Sequence, residues 1–243
     1  MNGKAIVVTG GSRGIGAAVA LRMAEEGADV AITYTADEAA AKEVVRRIEA
    51  TGRRGFAVRA DSGRADEAAG AVDWAARTLG RLDVLVNNAG VGVLGPLAAL
   101  TLADVDRVLA VNVRGAFLAS QAAADRMGRG GRIVTIGTCM TQRVPGPGGT
   151  LYTMSKSALT GLTKALAREL GERGITANIV HPGPTDTDMN PAAGPYAAGQ
   201  SAMTALGRFG RPEEIAAVVA FLAGEEAAYV TGAEFSVDGG HAA

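Results

Sequence analysis

The feature that most constrains the fold of this chain is an alternation of short apolar runs with longer amphipathic segments. The apolar runs are bounded by Gly or Asp, a pattern typical of βαβ units around a parallel sheet that is buried on both faces. We therefore predict an α/β fold with seven strands. The predicted strands lie near 4–9, 28–33, 56–60, 82–87, 131–137, 175–181 and 233–237. The predicted helices lie near 14–26, 37–51, 64–79, 101–127, 151–172 and 212–223.

The chain is expected to form one domain over residues 1–243. Its length fits a single α/β unit, and neither a repeat of about 20 to 50 residues nor a Pro/Ser-rich linker divides it. One irregular insert interrupts the alternation, from Pro182 to about Gly210. We expect its part from about 184 to 207 to cover a ligand at the carboxyl ends of the strands.

Charge and cysteine content argue against several classes of protein. The net charge is −1 and no block of five like charges occurs, so a nucleic-acid partner is not expected. Cys139 is the only cysteine, and His181 and His241 lie far apart. We therefore expect no disulfide framework and no metal site of the zinc type.

The sequence gives no sign of export or of a membrane span. The apolar run at 5–8 lies too close to the first residue to leave room for a secretory signal. The longest charge-free stretch, 189–207, contains Pro191, Pro195 and three glycines, which favours a loop over a membrane helix. We expect a cytoplasmic protein without a membrane partner.

A glycine-rich segment, Thr-Gly-Gly-Ser-Arg-Gly-Ile-Gly, follows the first predicted strand at 9–16. Glycines allow a tight turn and a close approach to a pyrophosphate, and the amino end of the next helix offers free N–H groups. A simple tight turn is the competing interpretation, but the position at the first strand-to-helix junction favours a dinucleotide site. The expected contacts are Gly10, Ser12, Arg13, Gly14, Ile15 and Gly16.

The end of the second strand indicates which dinucleotide is preferred. An acidic residue there normally binds the ribose hydroxyl of NAD and repels the 2′-phosphate of NADP. Here Tyr34 and Thr35 end the strand, and no carboxylate precedes Asp37. Arg13 offers a cation for the phosphate, although it is open to interpretation as a solvated surface residue. We predict NADP(H) in preference to NAD(H).

Tyr152 and Lys156 stand four residues apart at the start of a predicted helix, so both side chains lie on one helical face. A tyrosine has an ordinary pKa of about 10, which a neighbouring cation lowers by stabilising the phenolate. Such a pair suits proton transfer to a carbonyl oxygen. Taken alone, such a pair is more often an ordinary solvated helix face, and the surrounding motifs decide for catalysis.

Together these motifs resemble the short-chain dehydrogenase/reductase family over nearly the whole chain. Further matching segments are Asn87 to Gly90, Asn112-Val113 with Gly115, Pro182-Gly183, and Val237 to Gly240. The resemblance implies a Rossmann-like seven-stranded sheet, hydride transfer between C4 of nicotinamide and a carbonyl or alcohol carbon, and a homotetramer or homodimer. The apolar, glycine-rich end at 235–243 agrees with a packed subunit interface.

The resemblance also implies roles for single residues. Tyr152 is expected to be the general acid, and Lys156 to hold the nicotinamide ribose and lower the pKa of the phenol. Asn112 resembles the asparagine that supports a water in the proton relay, with a helix cap as the alternative. The other implied cofactor contacts are Asn88, Ala89 and Gly90 at the adenine ribose, Asp61 and Ser62 at the adenine, and Pro182, Gly183, Thr185 and Thr187 beside the nicotinamide and diphosphate.

One position departs from the family pattern. The family normally places a serine after the fifth strand to orient the substrate carbonyl, and Thr138 followed by Cys139 stands here. Threonine keeps the hydroxyl, while its extra methyl and stiff χ1 restrict the approach. We assign Thr138 the carbonyl-orienting role. Cys139 is interpreted as a buried apolar side chain, since hydride transfer needs no thiol nucleophile.

The overall prediction is a reductase that uses NADPH to convert a ketone or a 3-oxoacyl thioester to the secondary alcohol, most similar to the 3-oxoacyl-[acyl-carrier-protein] reductase branch. Two alternatives stay open. The chain is alternatively an alcohol or sugar-type dehydrogenase working in the oxidative direction, with Tyr152 as the base. The third reading is a nucleotide-binding module without turnover, which the missing serine allows.

Overall fold

The structure, a computed structural model, describes residues 1–243 as one seven-stranded parallel sheet between two layers of helices. The strands are β1 (Ala5–Val8), β2 (Asp29–Tyr34), β3 (Gly55–Arg59), β4 (Val84–Asn87), β5 (Arg132–Ile136), β6 (Thr176–Pro182) and β7 (Glu234–Val237). Their order across the sheet is β3-β2-β1-β4-β5-β6-β7, and every neighbouring pair is parallel. The predicted α/β, Rossmann-like fold with seven strands is confirmed.

The helices are α1 (Gly14–Glu25), α2 (Glu38–Glu49), α3 (Ala65–Leu79), α4 (Leu102–Leu109), α5 (Ala116–Arg126), α6 (Thr150–Leu170), α7 (Ala197–Ala202) and α8 (Pro212–Ala223). Alternate side chains of the central strands enter two different cores. In β1, Ile6 and Val8 pack in the core beneath α1, α2 and α8, whereas Ala5 and Val7 pack in the core beneath α3, α5 and α6. The central strands are therefore buried on both faces, as the continuous apolar runs predict.

The chain reverses its direction across the sheet between β1 and β4. β1 is followed by strands on one side, β2 and β3, and β4 by strands on the other side, β5 to β7. In open parallel sheets the loops leaving two such strands diverge and leave a crevice at the carboxyl edge. The glycine-rich segment and the predicted catalytic residues both lie at this edge.

The single helix predicted over 101–127 is in fact two helices, α4 and α5, joined by a turn of π-helix over Ala110–Gly115. Gly115 lies against the segment after β3, where an added Cβ would collide with the carbonyl oxygen of Ser62. In the same turn the amide of Asn112 is bonded to the backbone of Val91. Such wide turns are frequent at functional sites, and periodicity alone does not reveal them.

The insert after β6 is more ordered than the sequence predicts. It contains the short helix α7, and its two ends are joined by a hydrogen bond from the N–H of Asp186 to the carbonyl of Gly210, at 2.9 Å. The side chains of Asn190 and Gln200 exchange two hydrogen bonds, at 2.8 and 3.0 Å. None of the helices combines the length and the apolar character that crossing a membrane requires.

Candidate active site

The glycine-rich segment forms a turn between β1 and α1 that is held by the end of β4. The hydroxyl of Thr9 accepts hydrogen bonds from the N–H groups of Asn88 and Ala89, each at 3.0 Å. The side-chain amide of Asn88 donates to the carbonyls of Thr9 and Gly10, both at 2.9 Å. A Cβ at Gly16 would collide with that amide, so only glycine fits there. The side chain of Asn88 thus holds the loop.

The amino end of α1 carries no capping side chain. Arg13 precedes the helix in an extended conformation and makes no side-chain hydrogen bond to its first turn. Gly10 and Gly14 have φ values of 63° and 53°, which side chains other than glycine rarely adopt. Because the first N–H groups of a helix lack partners within it, Gly14, Ile15 and Gly16 offer donors at the positive end of the helix dipole. This end suits a phosphate group.

The insert after β6 reaches the glycine-rich segment. Thr187 lies against Gly14, where an added Cβ would be 3.3 Å from Cγ2 of the threonine. Nη1 of Arg13 is 3.6 Å from Oδ2 of Asp188, and both side chains are well exposed, at 63% and 68%. The structure therefore turns Arg13 toward the insert. Its contact with a 2′-phosphate stays a prediction.

The start of the insert is fixed against β7. The N–H of Gly183 donates to the carbonyl of Val237 at 3.0 Å, and an added Cβ there would be 2.6 Å from Cα of Asp238. Pro182 ends β6, and the buried hydroxyl of Thr185 donates to the carbonyl of Gly183 at 2.9 Å. These three predicted cofactor residues lie together at the carboxyl edge of the sheet.

A cation that the sequence did not indicate, Arg59, lies beside the end of β2. Tyr34 pairs in register with Arg59, the last residue of β3. Nε of Arg59 donates to the carbonyl of Thr35 at 3.1 Å. The nearest following carboxylate, that of Asp37, accepts from the N–H of Ala40 and caps α2. The position of an arginine at the end of the neighbouring strand was the available signal.

The predicted adenine contacts lie in a turn after β3. The carboxylate of Asp61 accepts from the N–H of Gly63 at 2.8 Å, and the N–H of Asp61 donates to Glu67 at 2.8 Å. The carboxylate therefore serves the turn, and its adenine contact stays a prediction. Ser62 borders a small pocket that is also lined by Thr9, Thr33, Ala60, Ala89 and Val111.

Helix α6 places Tyr152 and Lys156 beside the end of β5. Lys156 is buried, and its Nζ donates to the carbonyl of Ile136 at 2.8 Å. Burial lowers the pKa of Lys156 to about 8. Burial also raises the pKa of Tyr152 to about 12, against the smaller, opposite effect of its hydrogen bond with Thr138. Desolvation thus dominates the pKa of the phenol, while the ammonium of Lys156 is bound to a carbonyl. The lowering of the phenol pKa by Lys156 stays a prediction.

The segment after β4 lies against this pair. A Cβ at Gly90 would be 3.3 Å from Nζ of Lys156, and one at Gly92 would be 3.9 Å from the ring of Tyr152. Side chains at these two positions would therefore crowd the site. The segment after β4 thus contacts the glycine-rich turn at one end and the Tyr152 and Lys156 pair at the other.

Asn112 holds the same segment in place. Its Oδ1 accepts from the N–H of Val91 at 2.8 Å, and its Nδ2 donates to the carbonyl of Val91 at 2.9 Å. Nδ2 also donates to the hydroxyl of Ser155 at 2.9 Å, and that hydroxyl donates to the carbonyl of Tyr152. The buried amide is thereby fully used within the chain. The side chain of Asn112 thus joins the π-turn to Ser155, near the start of α6.

Thr138 begins the turn that leaves β5. Its hydroxyl accepts from the N–H of Met140 at 3.4 Å and lies within hydrogen-bonding reach of Tyr152. Its N–H donates to Nδ1 of His181 at 3.2 Å. The sequence analysis missed His181, because a lone histidine in a buried strand carries no motif. The predicted catalytic residues Thr138, Tyr152, Lys156 and Asn112 are all brought to one site.

Cys139 is a buried free cysteine next to Thr138. Burial raises the pKa of its thiol to about 11, so the thiolate is scarce near neutral pH. This agrees with the interpretation of Cys139 as an apolar side chain.

Comparison with known proteins places this site in a family. Residues 10–242 match the family model described as enoyl-(acyl carrier protein) reductase. The chain belongs to the short-chain dehydrogenase/reductase family. It is thus an oxidoreductase, and the predicted resemblance is confirmed. The chain superposes with a TM-score of 0.99 on a short-chain dehydrogenase from Burkholderia cenocepacia crystallised with NADP, which is 53% identical, with 100% of this chain and 99% of that one covered.

Curated relatives of this family carry diverse names. The cyclic-di-GMP-binding biofilm dispersal mediator protein of Escherichia coli is 46% identical, over 98% of this chain and 96% of its own. The L-rhamnose 1-dehydrogenase (NAD(P)(+)) of a Sphingomonas species is 40% identical, over 99% and 96%. The 3-oxoacyl-[acyl-carrier-protein] reductase of Staphylococcus aureus is 40% identical, over 98% and 97%. Family membership alone therefore leaves the substrate undetermined.

Proposed function

We propose that this chain reduces a ketone or a 3-oxoacyl thioester to the secondary alcohol at the expense of NADPH. The observation that carries the proposal is the convergence of Thr138, Tyr152 and Lys156 at the end of β5, beside the uncapped end of α1. A phenol, a hydroxyl and an ammonium at one point suit the stabilisation of a developing alkoxide. The same edge of the sheet offers a phosphate site within the reach of a dinucleotide.

The residues present fit NADPH, which would supply the hydride from C4 of its nicotinamide. The free N–H groups at the start of α1 suit the diphosphate. Thr35 and Arg59 offer a hydroxyl and a cation at the end of β2, where no free carboxylate precedes α2, and Arg13 offers a second cation from the glycine-rich segment. The NADP complex of the Burkholderia cenocepacia relative supports the same choice. We assign the remaining cofactor contacts to Ser12, Tyr34, Asp61, Ser62, Asn88, Ala89, Gly90, Pro182, Gly183, Thr185 and Thr187.

Tyr152 is the proposed general acid. With a pKa of about 12 the phenol keeps its proton throughout the neutral range, as a donor requires. The hydroxyl of Thr138 lies near the same phenol, and we assign it the role of donating to the substrate oxygen. As negative charge develops on that oxygen, the two hydroxyl groups stabilise it together.

Lys156 and Asn112 support this proton transfer. The ammonium of Lys156 stabilises negative charge on the phenol oxygen after the proton has left, and it also suits the nicotinamide ribose hydroxyls. We assign Asn112 to the relay that returns a proton to Tyr152, through the π-turn that its amide holds together. Its side chain is bonded to Val91 and Ser155, so any water in this relay is held by the backbone of the turn.

Apolar side chains border the entrance to the site. Leu94 and Leu97 follow β4, Val144 follows β5, and Tyr196 and Leu206 belong to the insert after β6; all are more than half exposed. We propose that residues 1–243 form one domain and that its insert, at about 184–207, covers the substrate. These exposed apolar side chains favour an apolar carbonyl compound over a sugar, whose hydroxyls need hydrogen-bonding partners.

The two alternatives make different demands on the site. Oxidation of an alcohol requires Tyr152 to act as a base, which is the reverse of its role in reduction. A nucleotide-binding module without turnover needs no such phenol beside a buried lysine. Because the Escherichia coli relative is named as a cyclic-di-GMP-binding protein, nucleotide binding without turnover is one outcome of the test below. A cytoplasmic location stays a prediction.

The test is NADPH oxidation by the purified chain with aryl and alkyl ketones and acetoacetyl thioesters, and NADP⁺ reduction with sugars and secondary alcohols. Tyr152→Phe is the matched control, since it removes only the phenol oxygen. We expect turnover with at least one apolar ketone and its loss in the control. Turnover with sugars alone, or NADPH binding without any turnover, would refute the proposal.

A further inference from the structure

His181 is a fully buried histidine whose ring meets the backbone where β5 ends. The N–H of Gly137 donates to the carbonyl of Val180 at 2.7 Å and forms the last rung of the ladder between β5 and β6. The next N–H, that of Thr138, donates instead to Nδ1 of His181 at 3.2 Å. The imidazole thus replaces a strand carbonyl at the point where the chain turns away from the sheet.

Gly137 makes room for this arrangement. An added Cβ there would collide with Nδ1 of His181 and lie 2.8 Å from Cε1. The φ of Gly137 does not lie in the left-handed region, so the requirement is one of space and not of backbone conformation. The glycine and the histidine therefore act as a pair.

The carboxylate of Glu234 fixes the protonation of the ring. Nε2 of His181 is 3.2 Å from Oε2 of Glu234, and Oε1 of the same carboxylate binds Nζ of Lys164 at 2.7 Å. The hydrogen bond with Lys164, and more weakly that with His181, lowers the pKa of Glu234, so the carboxylate only accepts. Nε2 must then carry the ring proton, which leaves the lone pair of Nδ1 for the N–H of Thr138.

The other peptide group of Thr138 is bound as well. The hydroxyl of Thr141 donates to the carbonyl of Thr138 at 2.9 Å, and its oxygen lies 3.3 Å from Nδ1 of His181. Both the N–H and the carbonyl of Thr138 are therefore restrained within one small network. Such restraint sets the backbone angles of Thr138, and with them the direction of its side chain.

We propose that His181 and Glu234 are positioning residues that aim the hydroxyl of Thr138 at the substrate carbonyl. This inference rests on the reduction proposed above. Both residues act through Thr138, and neither contacts the substrate or the cofactor. A hydroxyl donor stabilises charge only when it is aimed at the atom on which the charge develops. Freeing the N–H of Thr138 lets its turn relax and misdirects the hydroxyl.

The test compares His181→Asn with His181→Leu, which have nearly the same shape. Oδ1 of asparagine stands where Nδ1 stood and still accepts from the N–H of Thr138, whereas leucine offers no acceptor. We expect kcat for ketone reduction to fall about tenfold in His181→Leu and about threefold or less in His181→Asn, with the Kd for NADPH unchanged in both. In a Thr138→Val background, the leucine change should alter kcat less than about twofold.

A fall that is equal in the two variants, or that is as large in the Thr138→Val background, would overturn the proposal. Glu234→Gln provides a second variant of unchanged volume, should His181→Leu fail to fold. In this variant Lys164 binds the amide oxygen of the glutamine, so the amide NH₂ faces Nε2 of His181. The proton of the imidazole then moves to Nδ1, which no longer accepts from the N–H of Thr138. We expect kcat to fall severalfold in Glu234→Gln, again only when Thr138 is present; a parental kcat would overturn the assignment of Glu234.

A readout without turnover separates this inference from the proposed function. Hydrogen exchange of the Thr138 amide, followed by NMR, should be slow in the parental chain and in His181→Asn and fast in His181→Leu. If the parental chain reduces no carbonyl compound, the proposed function fails while this exchange still tests the contact. Equal exchange rates in the two variants would overturn the inference.

Discussion

At the scale of single residues, Thr138 carries the departure from the family pattern, since a serine normally occupies its place. The structure brings its hydroxyl to Tyr152, and removing such a donor typically costs about 10²–10³ in turnover. We expect Thr138→Val to lower kcat by that order with NADPH binding unchanged, and Thr138→Ser to retain or raise kcat by removing the methyl.

A neighbouring threonine supplies the control for this prediction. The hydroxyl of Thr153 is buried without a partner, so Thr153→Val should leave kcat near the parental value. The measurement is steady-state oxidation of NADPH with an accepted ketone. Parental turnover in Thr138→Val would assign the orientation of the carbonyl to another group.

The pKa of Lys156 predicts a pH dependence. With a folded pKa of about 8, its ammonium is present below that pH and is lost as the pH rises through it, while Tyr152, with a pKa of about 12, stays protonated. For ketone reduction, kcat/KM should thus be flat below pH 8 and fall above it. Lys156→Met should turn over slowly and without this limb. A limb near pH 8 that persists in Lys156→Met would contradict the assignment.

At the scale of elements, the ends of β2 and β3 and the start of α1 set the choice of dinucleotide. We expect NADPH to bind at least about tenfold more tightly than NADH, because one charge-assisted contact is worth about 1.4 kcal/mol or more. Arg59→Gln should narrow this ratio, whereas Arg77→Gln, an exposed change on α3, should preserve it. Calorimetry with both dinucleotides measures the ratio. Equal affinities in the parental chain would refute the prediction.

Sequence periodicity predicted every strand and all helices except α7, because burial of a parallel sheet on both faces imposes a strong pattern. It did not reveal the π-turn in 110–115, where Gly115 lies against Ser62, because this contact joins segments far apart in the sequence. Helix α7 was missed because its small residues have no apolar face. At the site, motifs located Thr138, Tyr152 and Lys156. They gave no hint of His181 or Arg59, whose roles arise from contacts between separate strands.

At the scale of the whole molecule, part-exposed apolar side chains mark a surface for assembly. Leu109, Phe117 and Met154 lie on the neighbouring helices α4, α5 and α6. We predict a homotetramer or homodimer that uses this surface. Phe117→Glu should lower the molecular mass of the assembly while the fold of each subunit is retained. Light scattering at micromolar concentration tests this. A monomeric parental chain, or an unchanged mass in the variant, would contradict it.

The C-terminal segment at 235–243 is hydrogen-bonded to other parts of its own chain. Arg143 donates to the carbonyl of His241 at 2.9 Å, and the N–H of Leu206 donates to the carbonyl of Gly239 at 3.0 Å. The tail therefore supports both the insert and the turn after Thr138. We expect deletion of 239–243, which leaves β7 intact, to lower ketone reduction as well as assembly, whereas Phe117→Glu should affect assembly first.

The central claim is that hydride passes from NADPH to a carbonyl carbon at the site of Tyr152. The most direct measurement supplies NADPH carrying deuterium in both C4 positions and determines, by mass spectrometry and NMR, where deuterium appears in the alcohol. We predict one deuterium on the carbinol carbon in the parental chain and no product above background in Tyr152→Phe. An alcohol that carries hydrogen from water at that carbon, or deuterated product formed at the parental rate by Tyr152→Phe, would contradict the account.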